Sequence, residues 1–119
     1  MIEIVEKKRE LNKIEQYLMT LSNNITSMKD VDDGTSIPVS LWVTFDDTKP
    51  DGTVERVTSI MTPNNEVYAF QSDTFRRSLM DIDEIMDNDT YNIIKTSGTT
   101  KAGRPFINCY LDVDSLNYN

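Results

Sequence analysis

The spacing of apolar residues changes twice between Ile37 and Val113, and each change marks a change of secondary structure. In "IPVSLWVTFDD", Val39, Leu41, Val43 and Phe45 take alternate positions, with Ser40, Trp42 and Thr44 between them. That is a strand with one apolar face. "VERVTSIMT" and "EVYAFQS" read as two more strands, the second placing Tyr68 and Phe70 on one face. Pro50-Asp51-Gly52 and Pro63-Asn64-Asn65 supply the turns between them. The period then lengthens: Phe75, Leu79, Ile82 and Met86 recur at helical steps in "SDTFRRSLMDIDEIMDND". Ser72 is placed to cap that helix, and Asp73 favours its positive end. "TYNIIKTSG" and "RPFINCYLDV" return to strand spacing around a TKAG tip.

Three strands, a helix and two strands is the layout of the OB-fold, a small five-stranded Greek-key barrel. The barrel is expected over residues 36–113. An α+β sandwich uses the same elements. The barrel is preferred because the strands are short and a closed sheet leaves few exposed edges. Ahead of it a helix is expected over residues 6–22, with Leu11, Ile14, Leu18 and Leu21 on one stripe that Ile25 and Met28 extend. The stripe either docks on the chain's own core or forms a helix–helix dimer seam. At 119 residues the expectation is a single domain over 1–119, long enough to bury a modest core.

Several chemistries are excluded by composition. The chain has no histidine and one cysteine, Cys109. Zinc sites of the Cys/His kind, Ser-His and Cys-His centres and internal disulfides are therefore ruled out. A lone cysteine suits a reducing compartment. No P-loop or GxGxxG occurs. "DVDDGT" falls short of a calcium loop because Gly34 comes one residue early and Leu41 stands at the twelfth position. "DIDEIMDND" reads as a solvated acidic helix face. No metal, no cofactor and no enzymatic activity are expected. No apolar run is long enough to span a membrane and no secretion signal is seen at the N-terminus, so a soluble intracellular protein is expected.

Charge is unevenly placed. The formal net charge is −8, and residues 72–90, with six acids and two arginines, hold half of it. Residues 91–111 contain Lys95, Lys101 and Arg104 and no acid. In an OB-fold the loop between the last two strands flanks a ligand groove over strands two and three. Lys101 and Arg104 are thus candidate phosphate contacts, with Lys95 and Arg56 as further candidates. Bases of single strands stack on aromatic rings. Trp42, Phe106 and Tyr110 lie on the less apolar faces of their strands, and Tyr68 and Phe70 share a face. Trp42 is either a stacking platform or a residue covered by the N-terminal helix.

"NKIEQYLMTLSNNITSMKD", "PVSLWVTFDD", "NNEVYAFQSDTFRRSL" and "SGTTKAGRPFINCYLDV", in this order, resemble the OB-fold single-stranded DNA-binding proteins of lactococcal phages. The resemblance covers nearly the whole chain. It implies a protein that coats single-stranded DNA without sequence preference in phage replication and recombination, in the cytoplasm of the bacterial host. It also implies contact with phage replication or recombination proteins. "DVDSLNYN" is too short for the long acidic-tipped tail by which bacterial single-strand-binding proteins recruit partners, so tail-mediated recruitment is not expected. A homodimer is expected, because one small domain covers few nucleotides and a second groove raises affinity through effective concentration. The alternative on the same fold is a protein-interaction module, a phage accessory or inhibitor protein whose acidic surface meets a basic partner.

Overall fold

The computed structural model of the chain describes residues 1–116. In chain order the elements are β1 (Ile2–Lys7), α1 (Lys13–Thr20), β2 (Ile25–Ser27), β3 (Ser36–Val39), β4 (Leu41–Thr48), β5 (Val54–Met61), β6 (Val67–Phe70), α2 (Asp73–Met86), β7 (Tyr91–Thr99) and β8 (Pro105–Leu111). Short 3-10 turns occupy Met28–Asp30 and Val113–Ser115. The architecture is mainly β, with one sheet ordered β1-β4-β5-β6-β2 and a second ordered β3-β7-β8.

The alternating run "IPVSLWVTFDD" is not one straight strand. It breaks at Ser40, so that β3 joins the smaller sheet and β4 the larger. Both the backbone N–H and the hydroxyl of Ser40 donate to the Met61 carbonyl at 3.0 Å, which holds the bend against the end of β5. Among the described residues no ladder joins β6 to β8. Instead α2 lies along β8, where the Ser78 hydroxyl donates to Asn108 Oδ1 at 2.6 Å. The sheet is therefore open at this point rather than closed. Ser72 caps α2 as expected, its hydroxyl accepting from the Phe75 N–H at 3.1 Å.

The N-terminal helix is shorter than the helix formers suggest. Residues 6–12 stay outside it, and Ile2–Lys7 pair antiparallel with β4, Ile4 opposite Phe45. The reason is the alternation of Ile2 and Ile4 with glutamates, which turns two apolar side chains onto the sheet's apolar face. Helix start is fixed by a capping box: Asn12 Oδ1 accepts from the Glu15 N–H, and Glu15 Oε1 accepts from the Asn12 N–H. Arg9 adds two hydrogen bonds to the same carboxylate, at 2.9 and 2.8 Å. Its hydrogen bond, followed by that of the Asn12 backbone, holds the Glu15 carboxyl down at about 2. Ile25, expected to prolong the helical stripe, lies in β2, which runs parallel to β6.

The core has two parts, one on each face of the larger sheet. Leu41, Val43 and Phe45 pack with Met61, Val67 and Met19 of α1. Trp42, Ile60 and Phe70 point the other way, into Phe75 and Leu79 of α2 and Ile37, Val39, Tyr91, Ile93 and Cys109 of the smaller sheet. Strand β4 is consequently buried on both faces from Leu41 to Phe45. Leu11 and Leu18 of the expected stripe pack inward, whereas Ile14 and Leu21 remain exposed beside Tyr17.

Candidate nucleic-acid interface

A groove of about 1090 Å³ runs between the larger sheet and the β7–β8 hairpin. Its floor includes Val57 of β5 and Ala69 of β6. One side carries Ile25, Ser27, Lys29 and Asp30, and the other carries Gly98, Thr99, Pro105 and Phe106. Gln71 and Ser72 also line it.

Phe106 is the exposed aromatic among the residues lining this groove. It is partly exposed and stands opposite Gly98 in the β7–β8 ladder. The ring lies across Gly98 so closely that a Cβ there would sit 2.7 Å from Phe106 Cζ. A partly exposed ring whose far end rests over a bare backbone and that lines the groove is a candidate stacking surface. The hairpin tip beyond it is shaped by Gly103, whose φ of +83° favours glycine, and by the Thr100 hydroxyl, which accepts from the Arg104 N–H at 3.1 Å. Gly98, with no positive φ, is the seat of the ring and not a turn residue.

The cations separate into two groups. Lys7, Lys8, Arg9, Lys49, Arg56, Arg76 and Lys95 each lie within 4 Å of a carboxylate. Lys13, Lys29, Arg77, Lys101 and Arg104 have no such partner among the described residues. Of these five, Lys29 lines the groove, and Lys101 and Arg104 occupy the exposed tip of the hairpin that borders it. The acid-free stretch thus places two exposed charges without an acidic partner at the rim of the groove.

Other candidates have different duties. Lys95 is 4% exposed; its Nζ donates to the Val31 carbonyl at 2.7 Å and pairs with Asp33 at 3.1 Å. Asp33 also accepts from the Ser97 hydroxyl, and that hydrogen bond, then Lys95, keeps its carboxyl below the ordinary aspartate value. Lys95 pins the 31–35 loop to β7 and so builds a groove wall. Arg56 is held by two hydrogen bonds to its cross-strand neighbour Asp46, at 2.8 and 2.9 Å.

Trp42 is 7% exposed and belongs to the core. It is covered from the side of α2, not by the N-terminal helix, because the apolar alternation of β4 faces α1 and leaves the tryptophan pointing between the sheets. Its Nε1–H has no partner at hydrogen-bond geometry, although the indole is near enough to Asp83 to favour that carboxylate's charged form. Asp83 is held more firmly by Lys8 Nζ and the Tyr91 hydroxyl, both at 2.7 Å, and despite its burial its carboxyl stays below the ordinary value. Phe70 is also core, tilted against Phe75 at 4.3 Å between ring centres, and reaches the groove only as part of its wall. Tyr68 is half-buried on the same inward face. Tyr110 is exposed on the face of β8 that carries Phe106, about 13 Å further along the strand by its rise per residue, and does not line the groove.

The residues that sequence reasoning missed are Lys29, Val57, Ala69 and Gln71. Lys29 carried no signal, since it lies past the helix expected over residues 6–22 and no strand was expected at 25–27. Among the described residues no three His, Cys, Asp or Glu side chains gather where they could hold a metal ion. Cys109 is buried, and desolvation pushes its thiol up to about 12. No described helix is long and apolar enough to cross a membrane. No family model, curated protein or solved structure matches the chain.

Proposed function

We propose that the chain binds single-stranded DNA without sequence preference, and that its two sheets are an open OB-type barrel. The pairing order supports the fold. The bent β3–β4 run serves as a first strand shared by both sheets, β5 and β6 follow it on one side, and β7 and β8 on the other. The helix α2 stands between the third and fourth of these strands, as in that fold. The observation that carries the function is the groove itself. It runs over β5 and β6, is lined by the exposed Phe106, and is bordered by Lys29, Lys101 and Arg104, which have no acidic partner among the described residues. Rings supply sequence-tolerant stacking and the cations meet the backbone phosphates, the combination that holds single strands. An acidic total charge lowers long-range attraction but does not remove a local basic rim. The sequence resemblance to phage single-strand-binding proteins points the same way, and a role in phage replication and recombination within the bacterial cytoplasm follows from it.

The occupant of α1's exposed face in this reading is a second copy of the chain. Ile14, Tyr17 and Leu21 form an apolar stripe flanked by Lys13, Gln16 and Thr20, with no free acid, since Glu15 is held by Arg9. On a chain of net charge −8 this is a face where two copies meet with little repulsion.

The test is an anisotropy titration of labelled oligo(dT) at low salt, beside a duplex of equal length. Binding to the single strand, with Phe106→Ala weakening it by about 5- to 150-fold, supports the reading. A flat titration rejects it in favour of a protein-interaction module. Trp42 emission is not a suitable signal, because the indole is buried.

A further inference from the structure

We propose that Gly98 is a positioning residue for the groove: its missing side chain holds the Phe106 ring in its binding pose. This rests on the single-strand reading of the same groove.

Gly98 sits inside β7 with an ordinary extended backbone; positive φ values among the glycines belong to Gly34, Gly52 and Gly103. Nothing in the backbone therefore requires glycine at this position. Glycine in a strand interior weakens the strand, so some other feature accounts for it. That feature is its cross-strand neighbour. A Cβ at Gly98 would stand 2.7 Å from Phe106 Cζ and 3.0 Å from Cε1, closer than nonbonded carbons approach. The atoms in the way belong to the far edge of one partly exposed ring and not to backbone. Adding a methyl group there displaces the ring by rotation and leaves the ladder intact. In its resting place across Gly98 the ring lines the groove together with Gly98 itself. Rotating it away withdraws the flat surface from the groove while costing the fold little.

Gly98 thus acts through Phe106 alone, and a double-mutant cycle isolates that dependence. Gly98→Ala, Phe106→Ala and the double variant are titrated against labelled oligo(dT), with melting temperatures measured on each. Gly98→Ala is expected to weaken binding by about fivefold or more, the loss of one stacked base, with the melting temperature unchanged or raised. In the Phe106→Ala background the same change is expected to have no further effect on affinity. Phe106→Leu, which keeps an apolar side chain, serves in place of Phe106→Ala should the latter unfold. Equal losses from Gly98→Ala in both backgrounds, or unchanged affinity in the first, overturn the positioning role while leaving the groove reading in place. Unchanged affinity of Phe106→Ala itself overturns both.

Discussion

Trp42→Ala separates a packing residue from a ligand contact, and the structure gives it a size. The indole is 7% exposed, with Ile60, Phe70, Phe75 and Leu79 in the same apolar cluster. A buried tryptophan removes on the order of 200 Å² from water, which at about 25 cal/mol per Å² sets an upper bound near 5 kcal/mol. The alanine that remains retains part of this, and the cavity adds to the loss, so a cost of about 3–5 kcal/mol is expected. Against a typical domain stability of about 5–15 kcal/mol the variant stays largely folded or becomes marginal. Trp42→Phe is expected to be far milder, because it refills most of the space and deletes an N–H that lacks a partner. Urea denaturation followed by far-ultraviolet circular dichroism measures both variants without relying on tryptophan emission. Affinity for oligo(dT), corrected for the folded fraction, is expected to stay at the parent value. A stable Trp42→Ala that binds weakly would refute the placement of this ring in the core.

Three further outcomes are expected. Glu15 titrates near 2, below an ordinary glutamate; its stabilising contribution is complete above the unfolded value near 4.5 and is lost as pH falls toward 2. A carboxyl resonance with its midpoint near 4.5 would contradict this. The Cys109 thiol, buried and raised to about 12, is expected to resist a disulfide reagent at pH 8 in the native protein and to react fully in urea; rapid native labelling would show that it is accessible. Replacing Ile14 and Leu21 together by glutamate is expected to turn a micromolar dimer into a monomer in sedimentation velocity without lowering the melting temperature, since both side chains are already exposed; a monomeric parent would rule out the α1 seam.

The strand–helix order from β4 to β8 was legible because each element there has one side chain period and a turn on either side. Pro50-Asp51-Gly52 and Ser72 mark those boundaries in the chain itself, and they lie where expected. The N-terminal third was not legible to the same degree. "IEIVEK" is built from residues that serve helices and strands alike, and only its pairing with β4 decides between them. The capping box at Asn12 and Glu15 was a readable signal for a later helix start. The apolar face of β4 is a core face as expected, but the opposite face with Trp42 is buried too, for a physical reason. A strand covered on both sides carries apolar residues at successive positions, and the more regular alternation belonged to the side facing α1. Of the candidate site, Phe106, Lys101 and Arg104 could be placed from the chain alone. The commitments of Lys95 to Val31 and Asp33, and of Arg56 to Asp46, depend on distances that no sequence pattern contains.

The salt dependence of oligo(dT) binding, compared between the parent and the double variant Lys101→Glu with Arg104→Glu, tests the central claim most directly. Both side chains are exposed at the hairpin tip and in no ion pair among the described residues, so the variant is expected to fold as the parent does. Each phosphate contact adds about 0.7 to the slope of log affinity against log salt for a single strand. Loss of two contacts is expected to flatten the slope by about 1.4 and to weaken binding equally on every sequence tested. A parent that binds no single strand, or a variant with the parent's affinity and slope, would contradict single-strand binding through this groove.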